Sequence, residues 1–215
     1  MARKILSAVI LTGLTLSFSP PTASADIGVG ADVVSRYVWR GALLDDNLAV
    51  QPHLSYSTGN IEIGAWSSWA TTSSGKNEND LYITYSSGPI AITVTDYYFP
   101  NGAGSDFFKY SDKDAIHQLE VMGSYGQGPI GLTAAAILSG DPDTPIYVEA
   151  SYELATDDDV SASVTAALGT ENYYTSDGDP ALINVGLSVT KGDYTAQYIL
   201  NPDAEQAWMV FMMSF

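Results

Sequence analysis

Trp208-Met-Val-Phe-Met-Met-Ser-Phe215, the last eight residues of the chain, decide how the rest is read. Counted back in twos from the terminus, the residues are Phe215, Met213, Phe211, Met209 and Ala207, all apolar. Side chains of an extended strand alternate between two faces. The stretch therefore predicts a strand with one wholly apolar face. A buried last strand of a water-soluble protein would carry the same pattern, so the segments before it decide what that face meets.

Moving back towards the N-terminus, period-2 alternation is nearly continuous and helical periodicity is hard to find. Including the last strand at 206–215, twelve strands are predicted: 194–200, 181–190, 160–169, 146–154, 130–139, 115–125, 90–99, 81–86, 61–70, 49–57 and 27–40. The stretch 146–154 is the clearest, with Ile146, Val148, Ala150, Tyr152 and Leu154 alternating with Tyr147, Glu149, Ser151 and Glu153. Connections alternate between tight and loose. The tight ones, 57–60, 86–89, 126–129, 156–159 and 190–193, are clusters of Gly, Pro, Asn and Asp, the chemistry of short hairpin turns. The loose ones are 41–48, 71–80, 100–114, 140–144, 170–180 and 201–205. Even strand number, short turns at one end and longer loops at the other describe a transmembrane barrel. The expected fold is all-β, a twelve-stranded antiparallel up-and-down transmembrane β-barrel.

Aromatic residues are placed as such a barrel requires. Tyr56, Tyr85, Tyr125, Tyr152, Tyr194 and Phe215 lie on the apolar face beside a tight turn or the terminus. Tyr37, Trp39, Trp69 and Tyr98 lie on that face near the loose loops. Two girdles of amphipathic rings at the two membrane interfaces are expected from this.

The N-terminus reads as a secretory signal peptide, 1–25. Arg3 and Lys4 precede an apolar stretch, and Ala23-Ser24-Ala25 is a small-residue cleavage site. The remaining domain, 26–215, holds all 25 acidic residues against Arg36, Arg40, Lys76, Lys109, Lys113 and Lys191, a formal charge of −19. Such a chain lacks the basic patch that nucleic acid needs. With no cysteine, thiol chemistry and thiolate metal sites are out of reach.

Asp32-Val-Val-Ser-Arg-Tyr-Val-Trp-Arg-Gly41 resembles the motif that opens the TorF-like family of outer-membrane porins. That family joins a signal peptide and such a first strand to a C-terminal aromatic. The resemblance covers the N-terminal motif and the last strand, and it implies an outer-membrane barrel more firmly than any transported substance. The C-terminal aromatic also resembles the feature through which barrel-assembly machinery takes up its clients.

In the predicted register Asp32, Arg36, Arg40, Gln51, His53, Glu62, Asp80, Glu120, Glu149 and Glu153 line the barrel interior. Arg36 and Arg40, four apart on one strand face, serve either an internal ion-pair network or a charged constriction. An interior so rich in carboxylates favours cations over anions. The expected function is a narrow porin passing small cationic or neutral solutes in the outer membrane of a Gram-negative bacterium, with lipid and the assembly machinery as partners. No cofactor, metal or catalysis is expected. Three alternatives stay open: a non-transporting structural barrel, a soluble exported barrel, and an outer-membrane lipase using His117 and Asp96 on the lipid face. The lipase reading lacks a well-placed serine. Asp141-Pro-Asp143 and Asp177-Gly-Asp179 read first as solvated loops; loose calcium binding stays open, although neither has the EF-hand pattern.

Overall fold

The computed structural model describes residues 26–100, 107, 108, 110, 116–141, 143–157 and 159–215. The expected signal peptide lies outside the described residues. Twelve strands close into one antiparallel barrel in sequence order. They are β1 (Asp26–Val34), β4 (Ala49–Thr58), β5 (Ile61–Ala70), β6 (Asn77–Ser87), β7 (Ile90–Tyr98), β8 (His117–Gln127), β9 (Ile130–Ser139), β10 (Ile146–Asp157), β11 (Val160–Gly169), β12 (Ala181–Lys191), β13 (Tyr194–Asn201) and β14 (Gln206–Ser214). Two short strands, β2 (Tyr37–Trp39) and β3 (Ala42–Asp45), pair only with each other. A four-residue helix, α1 (Glu171–Tyr174), sits between β11 and β12.

The barrel closes where its first and last wall strands meet. β1 pairs with β14 through Asp32 with Ser214, Val33 with Met213 and Val34 with Met212. Beyond that short ladder, Ser35 N–H donates to Phe211 O at 2.8 Å and Phe215 N–H to Ala31 O at 3.0 Å. A closed sheet has no unpaired edge, and closure through both termini requires all twelve strands at once.

Four of the tight turns place glycine at φ of +58° or +59°: Gly59, Gly88, Gly128 and Gly192. A Cβ at any of these would meet nothing within 4 Å. Glycine is therefore used there for its backbone conformation and not for space, as two-residue hairpin turns demand.

The two faces of the wall are inverted relative to a water-soluble protein. Val29, Leu81, Met209 and Phe211 point outward and are 75%, 64%, 62% and 51% exposed. Gln51, Asn184, Glu120, Thr84 and Thr93 point inward and are buried. Along β14 the inward set is Trp208, Val210 and Met212, and the outward set contains Ala207, Met209, Phe211 and Met213, as the terminal alternation predicts.

The predicted first strand, 27–40, is not one element. The wall strand ends at Val34, and the chain bends at Ser35 and Arg36. It then forms the β2–β3 hairpin, which leaves the wall and packs against inward-facing residues of other wall strands, among them Ile199, Trp208 and Val210. Alternation survives the break because the hairpin is itself extended, so period alone hides it.

Candidate functional site

The hairpin turn is Trp39-Arg40-Gly41-Ala42, with φ of +50° at Arg40 and +80° at Gly41. Two successive positive φ values make the tight turn that joins adjacent antiparallel strands. Glycine takes that conformation freely; for arginine it costs roughly 1–2 kcal/mol. Gly41 is wedged against the wall. A Cβ there would lie 2.0 Å from Ile183 O on β12, and the Gly41 carbonyl accepts from Asn201 Nδ2 of β13 at 3.0 Å.

Arg40 is the one Lys or Arg among the buried residues described. Its guanidinium reaches β8, donating from Nη1 to Glu120 Oε2 at 2.5 Å and from Nη2 to Glu120 Oε1 at 2.9 Å. Nη1 also donates to the Tyr174 hydroxyl at 2.6 Å. Tyr97 OH donates to Glu120 Oε1 at 3.0 Å. Aromatic faces complete the cage, with Trp39 and Tyr147 each 4.4 Å from the guanidinium carbon. A bidentate carboxylate pair with cation–π faces holds the charge where water is excluded.

Apolar packing surrounds this pair at the loop end of the interior. Val38 of β2 joins Ile199, Trp208 and Val210, with Leu43 of β3 beside them. Met122, Ala135, Tyr147, Ala167 and Ile183 form a second cluster, against which Tyr174 and Ala181 pack. Loop 170–180 folds inward to supply Tyr173 and Tyr174, whose rings lie 6.2 and 5.9 Å from Trp39. The β2–β3 hairpin and this loop together plug the loop end of the barrel.

Towards the tight turns the lining changes to short hydroxyl and amide side chains. Thr84 and Thr93 share a 2.9 Å hydrogen bond, and Thr190 and Thr195 one of 2.8 Å. Glu62 accepts from Ser57 and Tyr82. Ser163, Ser188 and Gln197 hold buried polar atoms with no partner among the described residues. Water or solute is what such groups ordinarily bind.

Of the residues expected to line the interior, Asp32, Gln51, Asp80, Glu120 and Glu149 are buried on the inner face. His53 and Glu62 are half-buried there, and Glu153 is exposed on the inward register near the tight-turn end of β10. Arg36 and Arg40 need correction. Neither lies on a wall strand. Arg36 is in the bend after β1, where its Nη2 meets Asp46 Oδ1 at 3.2 Å in a partly exposed pair. Arg40 is inside the barrel, carried there by the hairpin tip.

The girdle expectation also needs correction at two positions. Tyr37 is buried and lies 5.6 Å from the inward-facing Trp66 ring, and Trp39 packs on Arg40 and Tyr97. Both belong to the plug, not to an outer belt. Tyr56, Trp69, Tyr85, Tyr152, Tyr194 and Phe215 are exposed on the outer face. Tyr98 and Tyr125 are half-buried on that face.

Sequence reasoning missed Glu78, Tyr173 and Tyr174. β6 begins at Asn77, earlier than expected, because the outward position Asn79 is polar and interrupts the alternation. Asn79 Oδ1 accepts from Trp69 Nε1 at 3.2 Å, which satisfies it on the outer face. No periodic signal marks the two loop tyrosines.

His117 and Asp96 do meet on the outer face, Nδ1 to Oδ1 at 2.9 Å. His117 Nε2 has no partner among the described residues. Among the described residues no hydroxyl meets that nitrogen, where a nucleophile for acyl transfer would stand. No cluster of metal-ligating side chains occurs among the described residues.

The fold and interior define a closed twelve-stranded antiparallel barrel with an apolar outer face and a plugged, acidic interior. No protein-family model matches the chain, and no curated protein matches it.

Proposed function

We propose that the chain is an outer-membrane barrel of a Gram-negative bacterium that passes small cationic or neutral solutes through a narrow lumen. The observation that carries the membrane part is the inverted surface. A ring of exposed Ile, Leu, Val, Met and Tyr on eleven of the twelve wall strands is a liability in water and the normal outer face of a barrel in lipid. The motif at Asp32–Gly41, similar to that of TorF-like porins, and the C-terminal aromatic support the same location, with assembly machinery engaging the last strand.

Passage and selectivity rest on the lining. Asp32, Glu62, Glu78, Asp80, Glu120 and Glu149 face the interior, while the buried Arg40 is already paired with Glu120. The uncompensated groups are acidic or neutral, which disfavours anions. The hairpin occludes the loop end, so passage requires that the hairpin shift. The protein carries out no chemistry in this reading.

Planar-bilayer recordings of the refolded mature protein under a salt gradient test the proposal. Brief, small, cation-selective openings are expected. A chain that inserts but never conducts, with or without the hairpin, is a structural barrel instead.

A further inference from the structure

His117 is at the loop end of β8 and points outward, yet it is only 2% exposed. What covers it are the rings of Tyr98, Phe107 and Tyr110, which lie against the outside of the wall. The imidazole is stacked between Tyr98 and Tyr110, with ring centroids 4.8 and 4.5 Å away. Phe107 meets it edge-on at 5.1 Å. Asp96, outward on β7, accepts from Tyr110 OH at 2.9 Å and pairs with His117 Nδ1. Ser139 at the end of β9 donates to the Tyr110 carbonyl. Three strands thus hold Tyr110 and Phe107 against the barrel's exterior.

The two phenylalanines at this place keep large exposed faces. Phe107 is 50% exposed and Phe108 80% exposed, although the apolar outer wall is beside them. Tyr98 and the 53%-exposed Leu138 carry that wall up to the same place. A loop in water would turn such rings inward; a pinned pair at the upper edge of an apolar band matches the boundary between headgroups and acyl chains.

We propose that Phe107 and Phe108 form a lipid-binding anchor, pinned by His117, Asp96 and Tyr110, that lies in the membrane interface beside the barrel and not in the aqueous loop layer. The inference rests on the membrane reading above, and its occupant is the bilayer itself, not a protein partner.

The chain has no cysteine, so one introduced cysteine labels one site. Phe108→Cys, Phe211→Cys on the outer wall and Asp177→Cys in an exposed loop would each be given an environment-sensitive fluorophore. Each refolded mature protein would be placed in vesicles of phosphatidylcholine and phosphatidylglycerol at 3:1. Spin-labelled lipids would quench at headgroup or mid-chain depth. Position 108 is expected to be blue-shifted relative to 177 and quenched at least two-fold more by the headgroup quencher than by the mid-chain one. Adding His117→Ala should return it to the emission of position 177. Emission at 108 equal to that at 177, with 211 quenched, overturns the anchor and leaves the membrane reading standing. A blue shift at 108 without lipid quenching means a contact between copies and also overturns it. Absence of quenching at 211 as well removes the membrane reading and the anchor with it.

Discussion

At the scale of single residues, Arg40 combines a disfavoured backbone with a buried charge, and Glu120 offsets both. Removing one member of a buried pair leaves the other uncompensated, at about 3–5 kcal/mol; removing both leaves no orphan charge. Arg40→Ala and Glu120→Ala should each lower stability by that order, and the double variant should lose clearly less than the sum. Thermal unfolding of the four proteins in detergent measures the cycle, and additive losses would show that the pair is not coupled. Asp45, at the hairpin's base, allows a second test. Burial alone would raise its pKa, but the backbone N–H of Lys76 and the backbone and side-chain N–H of Asn47 outweigh burial and hold it below the usual carboxylate value. A depressed folded pKa contributes stability that is full above the unfolded value, about 3.9, and is lost as pH falls through the folded one. Protease cleavage within the hairpin should therefore increase below about pH 4 in the native protein. In Asp45→Asn it should already be raised at pH 7 and change less with acid.

At the scale of elements, eleven wall strands were legible because each alternates over most of its length between Gly- or Asp-bearing turns. Val160–Gly169, Ile61–Ala70 and Ile130–Ser139 begin and end where the pattern does. The candidate site was legible only in part. Glu120 and Asp80 could be placed on the inner face by counting in twos, since wall geometry fixes that register. The plug could not, because β2 and β3 are strands by the same local signals and what separates them from the wall is tertiary: Val38 buried by Ile199 of β13 and Trp208 of β14. Ser35, polar at an expected apolar position, and the Arg40-Gly41 turn were the available hints. Gly41 gives the test. A methyl group at that position collides with Ile183 O and needs a φ of +80°. Gly41→Ala should expel the hairpin while leaving the wall intact, giving larger or longer conductance steps with unchanged strand content by circular dichroism. Unchanged conductance would mean that the hairpin does not limit passage.

At the scale of the whole molecule, polarity inversion and closure depend on each other, because the apolar outer face exists only when β14 meets β1. Val148 and Glu149 are neighbours on β10, one outward at 47% exposed and one inward and buried. In vesicles Val148→Arg should cost about 2–4 kcal/mol, the penalty for a charge on a lipid face, and Glu149→Ala much less; equal tolerance in a guanidinium titration would refute the facing. Closure has its own weak point. The β1–β14 ladder is the shortest in the wall, and Phe215 extends it with the bond to Ala31 while presenting an aromatic ring that is 72% exposed. Deleting Phe215 removes a seam hydrogen bond, an outer-girdle ring and the C-terminal feature that assembly machinery would engage, yet leaves the other strands and the plug untouched. The truncated chain should be exported but accumulate poorly in the outer membrane. It should also lose the faster migration that a folded barrel shows on an unboiled detergent gel. If it refolds in vesicles in vitro but fails in cells, the defect lies in recognition; if it fails in both, the seam is what Phe215 secures. Normal outer-membrane levels of the deleted form would contradict both roles and the membrane assignment built on them.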